Sequence, residues 1–486
     1  MSSSTIEALQ HRCCCSVGMA FSSTLSRLNL IPKPSLPYAL TTFKVLHFHK
    51  LLRTDWIGPG LSSNASTPRF SALKITSSAG FHTQISRPQD DDLIVLGIET
   101  SCDDTAAAIV KGNGEILSQV IASQAELLAR YGGVAPKMAE EAHAQVIDKV
   151  VQETMEKANL TERDLSAVAV TIGPGLSLCL RVGVQKARKI AGSSSLPIVG
   201  VHHMEAHALV ARLVERELQF PFMALLISGG HNLLVLAQDL GQYIQLGTTI
   251  DDAIGEAYDK TAKWLGLDLR KSGGPAIEEL AREGDPKSIK FSTPMKQHKD
   301  CNFSYAGLKT QVRLAIESRN IDTKIPLSSA SIQDRSVRAD IAASFQRVAV
   351  LHLEDKCERA IEWALKIEPS IRHLVVSGGV ASNKYVRAQL MAVVRKKGLQ
   401  LVCPPPSLCT DNGVMVAWTG LEHFRIGRFD PPPPADEPED TMYDVRPRWP
   451  LGEEYTEGRS AARSLRTARI HPSLTSIIQA SLQQQQ

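Results

Sequence analysis

The chain contains the same short unit twice, and this repeat constrains its fold more than any other feature. Residues 93–98 are an apolar run, followed by a polar turn at 101–104 and a second apolar run at 105–110. Residues 222–227 and 232–237 repeat the arrangement around a turn of serine, two glycines and histidine. Short apolar runs separated by turn residues are typical of buried strands joined as hairpins. Because such a hairpin opens each half, we predict an α/β fold of two duplicated lobes around a cleft.

The remaining segments alternate as expected for such lobes. Helical spacing of apolar positions separates predicted helices from predicted strands. Helices are predicted from about residue 176 and at 139–158, 203–217, 254–265, 306–318, 338–367 and 384–397, and further strands at 165–172, 197–201 and 373–377. The predicted divisions are a leader at 1–88, a first lobe at 89–220, a second lobe at 221–430, a proline-rich connector and returning segment at 431–450, and a disordered tail at 451–486.

Composition and charge exclude several classes of protein. With 486 residues and 43% hydrophobic content, the chain is long enough for two packed cores. Its formal net charge of +3 does not identify a nucleic-acid-binding protein. Since no run of roughly eighteen apolar residues occurs, no transmembrane segment is predicted, and peripheral membrane association stays open. The nine cysteines contain no C-x-x-C pair, so neither a disulfide framework nor a cysteine zinc site is indicated.

The first 88 residues differ in composition from the rest of the chain. They are rich in serine and in lysine and arginine, and their only acids are Glu7 and Asp55. A basic, serine-rich, acid-poor leader is typical of an organelle import sequence rather than of a secretory signal. We predict a mitochondrial location, with the plastid as the alternative.

Two histidines in the segment H-M-E-A-H are candidate metal ligands. His203 and His207 lie four residues apart on a predicted helix, so both imidazoles project from one face within reach of a single ion. The spacing alone leaves open an amphipathic helix with histidines at its surface. A zincin-type peptidase is rejected, because it needs H-E-x-x-H, whereas Glu205 lies about 200° around the helix from His203. A third ligand has to come from elsewhere in the chain.

Asp411 is a candidate for that third ligand. It lies in the segment C-T-D-N-G, between a strand that ends near Cys403 and a helix that reaches about Phe424. An aspartate in such a place is also commonly a helix cap or a turn residue. Two neutral imidazoles with one carboxylate would leave coordination positions open for a substrate phosphate or carbonyl.

Glycine pairs directly after buried strands indicate a site for an anion. The pairs at 229–230 and 378–379 would let bare backbone N–H groups approach an anion closely, although each pair also fits a simple tight turn. With the glycines at 173–175 and 273–274 they point to a nucleotide. Asn383 lies at the start of a predicted helix. Its side chain either caps that helix or contacts a ribose or base.

Other polar residues have plainer explanations beside the functional one. Asp259 falls in the middle of a predicted helix, where an aspartate is usually solvated. Exposed lysines and arginines most often form a solvated surface, but five of them could also meet a phosphate backbone. These are Lys296, Lys299, Lys309, Arg446 and Arg448.

Nine segments, taken together in order and interval, resemble the TsaD family over some 350 residues. They are L-G-I-E-T-S-C-D-D-T at 96–105, G-P-G-L at 173–176, H-H-M-E-A-H at 202–207, L-I-S-G-G-H at 226–231, G-E-A-Y-D-K-T-A-K at 255–263, F-S-Y-A-G-L-K-T at 303–310, S-G-G-V-A-S-N at 377–383, C-T-D-N-G at 409–413 and V-R-P-R-W-P at 445–450. The resemblance implies the two-lobed actin-like ATPase fold. It also implies an acyltransferase that moves a threonylcarbamoyl group from threonylcarbamoyl-adenylate, made by a separate synthase, to N6 of adenosine 37 in tRNA, releasing AMP.

The resemblance also implies a site, position by position. His203, His207 and Asp411 match the family's ligands to one divalent metal ion per subunit, with iron or zinc the usual ion. The positions that match its nucleotide site are Leu226, Ile227, Ser228, Gly229, Gly230, Asp259, Gly274 and Asn383, and Glu278 is an additional candidate near the ribose. Asp104 and Lys137 depart from the family pattern, since bacterial members usually have glutamate at both positions. The mitochondrial members, which the leader favours, act as homodimers.

The resemblance suggests an acyl transfer in which the adenosine amine attacks the carbonyl of a mixed anhydride. Asp103 is the candidate general base, because the opening hairpin points into the cleft. Two alternatives of other classes are an actin-like or chaperone-like ATPase switch and a metallo-glycopeptidase. The sequence leaves open the ion, the tRNAs, the need for accessory proteins and the cleavage site of the leader.

Overall fold

The computed structural model describes residues 90–124, 135–269, 272–322, 324–438, 441 and 443–458. The predicted leader and the predicted tail after residue 458 lie outside these ranges, and the predicted domain boundaries stay predictions. Within the described ranges, no helix is both long and apolar enough to cross a membrane.

The first half of the described chain forms a mixed five-stranded sheet. Its elements are β1 (Ile94–Glu99), β2 (Asp104–Lys111), β3 (Ile116–Ser123), α1 (Pro136–Ala158), β4 (Ala167–Gly173), α2 (Ser177–Ser193), β5 (Ile198–His202) and α3 (His203–Val214). The strand order is β3-β2-β1-β4-β5. The first three strands form an antiparallel meander, and β4 and β5 run parallel to β1.

The second half forms a six-stranded sheet. Its elements are β6 (Phe222–Ile227), β7 (Asn232–Asp239), β8 (Gln242–Thr248), α4 (Ile254–Trp264), α5 (Gly273–Ala281), α6 (Ala306–Glu317), α7 (Ile332–Ile367), β9 (His373–Ser377), α8 (Lys384–Lys396), β10 (Gln400–Val402), α9 (Pro406–Cys409), α10 (Gly413–Arg425) and β11 (Glu453–Glu454). The strand order is β10-β9-β6-β7-β8-β11.

The two sheets share one topology. In each sheet the third, second, first, fourth and fifth strands of that half lie side by side, with β11 added beyond the third strand of the second sheet. Each sheet again combines an antiparallel meander with two parallel strands. This repeated order is that of the two-lobed actin-like fold, so the predicted fold class is confirmed.

Two helices cross between the halves. α3, from the first half of the chain, packs against β6 and β9 of the second sheet, while α10, from the second half, packs against β1, β2 and β4. One hydrophobic cluster contains residues of both helices and both sheets. The contact of α10 with β1 is close enough that a Cβ at Gly97 would overlap the backbone of Ala417. The crossing helices therefore tie the two sheets together through a shared core.

Most differences from the predicted elements lie at surface positions. The two predicted hairpins are confirmed, but each sheet adds a third strand, β3 or β8, that the sequence did not predict. α3 ends at Val214 rather than at residue 217. α7 begins at Ile332, six residues earlier than predicted, where the Ser331 hydroxyl accepts a hydrogen bond from the Asp334 N–H.

The segment after the proline-rich connector returns to the start of α3. The backbone N–H of Arg446 donates to the Ile172 carbonyl over 2.6 Å. His202 accepts hydrogen bonds at Nδ1 from the first turn of α3, so its Nε2 donates to the Trp449 carbonyl over 3.0 Å. These contacts fasten the C-terminal segment beside the helix that carries His203 and His207.

Candidate metal and nucleotide site

Three predicted ligands meet in one cluster. The Nε2 atoms of His203 and His207 lie 3.6 and 3.0 Å from Oδ1 of Asp411. The potential ligand atoms all lie within 4.8 Å of one another. Two ligands bound tetrahedrally to one ion at about 2.0–2.1 Å are about 3.3 Å apart, so the three residues fit one metal ion.

Two of the plainer explanations are wrong, namely surface histidines and a helix cap at Asp411. His203 and His207 are 8% and 2% exposed, so they are not surface histidines of an amphipathic helix. Asp411 does not cap α10, because the N-cap is Asn412, whose side chain accepts from the Met415 N–H. What remains is a compact set of two imidazoles and one carboxylate.

A fully buried carboxylate orients His203. Oε2 of Glu99 lies 3.2 Å from Nδ1 of His203, and it also accepts from the Thr171 hydroxyl over 2.5 Å. Oε1 accepts from the Ser101 N–H over 2.6 Å. A carboxylate on the far nitrogen of a ligating imidazole fixes the tautomer that presents Nε2 to a metal. Neither Glu99 nor Ser101 was among the predicted site residues.

The charges of the cluster shift one another's pKa values. Burial opposes charge on His203, but Glu99 and Asp411 raise its pKa to about 9. Burial would likewise raise the pKa of Asp411, yet His203 and His207 hold it well below its ordinary value. Nδ1 of His207 is buried without a hydrogen-bond partner among the described residues. The carboxylates of Glu99 and Asp411 therefore lie close to the two imidazoles, and one bound cation would neutralise their negative charge.

Glu205 faces away from the cluster. Its Oε1 accepts from the Gly241 N–H and the Tyr243 hydroxyl, and its Oε2 lies 3.0 Å from Nε2 of His423. It is therefore not placed as the base of a peptidase, in agreement with the rejection of that class from the spacing.

The tip of the opening hairpin lies near the cluster. Burial raises the pKa of Asp103, and the charges of Asp411 and, more weakly, Asp259 raise it further. Burial and the neighbouring Asp103 raise the pKa of Asp104 to about 7. The Ser101 hydroxyl lies 3.2 Å from Nδ1 of His203, so the hairpin tip lies beside the cluster.

Two glycine turns border the cluster. A Cβ at Gly229 or Gly230 would meet nothing within 4 Å, so both residues face open space. His231, which follows this turn, is exposed to solvent. Partial burial nevertheless lowers the pKa of its imidazole, and the charges of His203 and His207 lower that pKa further.

The turn at 378–379 adjoins the same region from the other side. A Cβ at Gly379 would lie 3.9 Å from the methyl carbon of Thr410, which precedes Asp411. The two turns are held together, because a Cβ at Gly378 would overlap the Ile227 carbonyl. The structure thus brings both predicted glycine turns to the metal-type cluster.

The remaining predicted nucleotide residues differ in what they can offer. The side chains of Leu226 and Ile227 are buried in the core, so only their backbone can face a ligand. The Ser228 N–H donates to the His231 carbonyl over 2.8 Å, and the Ser228 hydroxyl accepts from the His231 N–H over 3.2 Å. The Ser228 carbonyl accepts from the Gly255 N–H over 3.3 Å. Asp259 accepts at Oδ1 from the Gly273 N–H over 2.8 Å.

The second-half helices supply the last three predicted residues. A Cβ at Gly274 would meet nothing within 4 Å. Glu278 accepts from the Lys384 N–H over 3.0 Å, which joins α5 to the start of α8. Asn383 caps α8 through the Val386 N–H, and its amide donates to Gln346 over 3.1 Å. The cap explanation of Asn383 is therefore confirmed, while contact with a ribose stays a prediction.

Two of the basic candidates are paired with acids. Lys309 lies 2.8 Å from Asp252 and 2.9 Å from Glu256, and Arg446 lies 2.6 Å from Asp444. Lys309 therefore forms ion pairs with the loop before α4 and with the first turn of α4, and is not a free phosphate contact.

The fold and the cluster together define an actin-like protein with a metal-type cluster between its two sheets, bordered by two glycine turns. A profile of the family described as TsaD, tRNA N6-adenosine threonylcarbamoyltransferase, matches residues 115–418. The chain belongs to this family.

Curated relatives agree with this assignment. The chain is 72% identical to a probable mitochondrial tRNA N6-adenosine threonylcarbamoyltransferase of Arabidopsis thaliana, over 96% of this chain and 98% of the relative. It is 43% identical to the mitochondrial enzyme of that name from Xenopus tropicalis, over 69% of this chain and 83% of the relative. These relatives confirm the predicted mitochondrial location. A solved structure of full-length HypF aligns with a TM-score of 0.45 at 13% identity, over 70% of this chain and 47% of HypF, which is too distant to carry an argument.

Proposed function

We propose that this chain transfers a threonylcarbamoyl group from threonylcarbamoyl-adenylate to N6 of adenosine 37 in mitochondrial tRNAs that read codons beginning with A, and releases AMP. Membership in the family named for this activity supports the reaction. The observation that carries the proposal is the cluster of His203, His207 and Asp411 beside the open turn at 229–230.

The proposal includes one divalent metal ion per subunit, iron or zinc, held by His203, His207 and Asp411. The fit of the three ligand atoms to one ion and the Glu99 carboxylate behind His203 support this assignment. When bound, such an ion supplies a Lewis acid for the donor's oxygens and the leaving phosphate. With three protein ligands, positions stay open for those oxygens.

Donor binding is assigned to the two glycine turns and the second-half residues beside them. Open space at Gly229 and Gly230 supports a close approach of an adenylate to the backbone N–H groups of that turn. Asp259, Glu278 and Asn383 lie on or beside α4, α5 and α8, where they would surround the adenosine part of the donor. An adenylate is already activated, so the site mainly has to position the two reactants.

Asp103 is assigned as the base that accepts the proton lost by the adenosine amine. Its raised pKa supports this role, because a carboxylate accepts a proton more readily as its pKa approaches the working pH. The proposal also includes a homodimer and a separate synthase that supplies the donor. Both rest on the resemblance alone.

The test is nucleoside analysis of tRNA after a single-enzyme reaction. Full-length chain is incubated with threonylcarbamoyl-adenylate and unmodified tRNA, and the digested nucleosides are separated by mass spectrometry. The wild-type chain should form threonylcarbamoyladenosine, and the His203→Ala, His207→Ala double variant should not. His298→Ala, which removes a histidine from the loop before α6, serves as the matched control and should stay active.

The ATPase switch gives the opposite result. A switch would hydrolyse ATP at the same rate with or without His203 and His207 and would leave tRNA unmodified. No modification by the wild-type chain with intact donor would exclude the proposed reaction. Modification that survives loss of both histidines would instead exclude their role in it.

A further inference from the structure

Glu205 is a buried carboxylate on the opposite face of α3 from the two histidines. It is 4% exposed, and both of its oxygens are bonded. Oε1 accepts from the Gly241 N–H and from the Tyr243 hydroxyl, each over 2.9 Å, and Oε2 lies 3.0 Å from Nε2 of His423. A buried carboxylate with three such partners is costly to disturb, because each partner would lose a charge-assisted hydrogen bond.

The three partners lie in the second sheet and in α10. Gly241 and Tyr243 lie at the turn between β7 and β8 and at the start of β8, in the second sheet. His423 lies in α10, which begins two residues after Asp411. The Glu205 side chain therefore joins α3, which carries two candidate ligands, to α10, which follows Asp411.

The placement limits rotation of α3 about its axis. Successive residues of a helix are about 100° apart, so His203 and His207 are about 40° apart and Glu205 lies across the axis from both. An imidazole nitrogen sits several ångströms from the axis, so a rotation of about 10° would move it by about 1 Å. Metal sites tolerate displacements of only about 0.5 Å.

We propose that Glu205 is a positioning residue that sets the rotation of α3, so that the imidazoles of His203 and His207 close on Asp411. The proposal rests on the metal site of the proposed function, and Glu205 itself touches neither ion nor substrate. It acts through Tyr243, Gly241 and His423, which hold it from the second sheet and from α10.

A second ion pair joins the same two helices and provides the matched control. Nε of Arg212 lies 2.9 and 3.1 Å from the carboxylate oxygens of Glu422. Arg212 lies in the last turn of α3, five residues beyond His207, so this pair fastens the end of the helix rather than the turn that carries the ligands. Glu422→Gln should therefore lower stability without changing metal affinity.

The experiment measures metal binding by the full-length chain rather than activity. Zn²⁺ affinity is determined by competition with a chromophoric chelator, the geometry of the site by visible absorption of bound Co²⁺, and folding by thermal unfolding. Glu205→Leu, which removes the carboxylate and all three of its bonds, should weaken Zn²⁺ binding tenfold to a hundredfold and alter the Co²⁺ spectrum. Tyr243→Phe, which removes one bond to the same oxygen, should weaken Zn²⁺ binding a few-fold.

The outcomes distinguish failure of the positioning role of Glu205 from failure of the metal site. If Glu205→Leu binds Zn²⁺ with wild-type affinity and spectrum, or if Glu422→Gln loses as much affinity, the positioning role is overturned. If Glu205→Leu does not fold, Tyr243→Phe decides, and wild-type affinity there overturns it too. If instead the His203→Ala, His207→Ala double variant binds Zn²⁺ as tightly as the wild type, the metal site itself is wrong.

Discussion

Glu99→Gln is the substitution that most directly tests how the site is built. Glutamine has nearly the shape of glutamate, so packing at this fully buried position stays the same, but it replaces one acceptor oxygen with a donor NH₂ group. The orientation of the new amide is decided by Ser101, whose backbone N–H donates to Oε1 over 2.6 Å. The amide oxygen has to take that place, so the NH₂ group takes the place of Oε2.

The NH₂ group then faces His203. At the Oε2 position it lies 3.2 Å from Nδ1 of His203, where it donates and the imidazole has to accept. The imidazole proton therefore moves to Nε2, the atom that lies 3.6 Å from Asp411 and would ligate the metal. A protonated nitrogen cannot ligate, and disturbance of such partners typically weakens metal binding tenfold to a hundredfold, or by about 1.4–2.7 kcal/mol.

Zinc competition against a chelator, together with tRNA modification, measures the effect. Thr171→Val is the control, because it removes the other hydrogen bond to Oε2 without placing a donor against His203. It should change Zn²⁺ affinity much less than Glu99→Gln does. A folded Glu99→Gln variant with wild-type affinity would refute the tautomer argument.

Four further results are expected. Asp411→Asn should purify without metal, as measured by elemental analysis, because an amide is a poor substitute for a carboxylate ligand. Gly230→Ala should leave thermal unfolding unchanged, since its Cβ meets nothing within 4 Å, but should raise the KM for the adenylate donor. Gly97→Ala should instead destabilise the fold by about 1–3 kcal/mol, because its Cβ overlaps the Ala417 backbone. Burial lowers the pKa of His352 from 6.5 to about 3. Below about pH 6.5 the unfolded chain therefore binds a proton there that the folded chain does not, and stability falls as the pH falls. His352→Gln should remove about 2 kcal/mol of the loss between about pH 6.5 and pH 5, as measured by urea unfolding.

The sequence predicted buried elements far better than partly exposed ones. β6 and β9 have the predicted bounds, because all of β6 and four of the five residues of β9 are buried, around an apolar centre. β3 was missed, since as an edge strand it buries few side chains. α5 begins with Gly273, Gly274 and a proline, a run that is typical of a turn, and its packing against α4 and α7 supports the helix.

Site residues were predictable from local pattern only where they share one helix. The spacing of His203 and His207 was sufficient to propose a shared ligand platform. Asp411 lies 204 residues beyond His207, so no local pattern links them, and resemblance alone placed it in the site. Glu99 was missed, although a carboxylate that closes an apolar strand is itself a signal, because a buried charge needs a partner.

The site forms where it does because of strand direction and helix crossing. Glu99, the turn at 173–175 and His203 all follow parallel strands of the first sheet, and the turns at 228–230 and 378–379 follow parallel strands of the second. Carboxyl ends of parallel strands meet at one edge of a sheet, so each half directs its polar residues to one place. Because α3 packs on the second sheet and α10 on the first, the histidines and Asp411 each reach across. Neither half contains a complete set of ligands, so any motion of one sheet against the other would change the metal-type cluster and the glycine turns together.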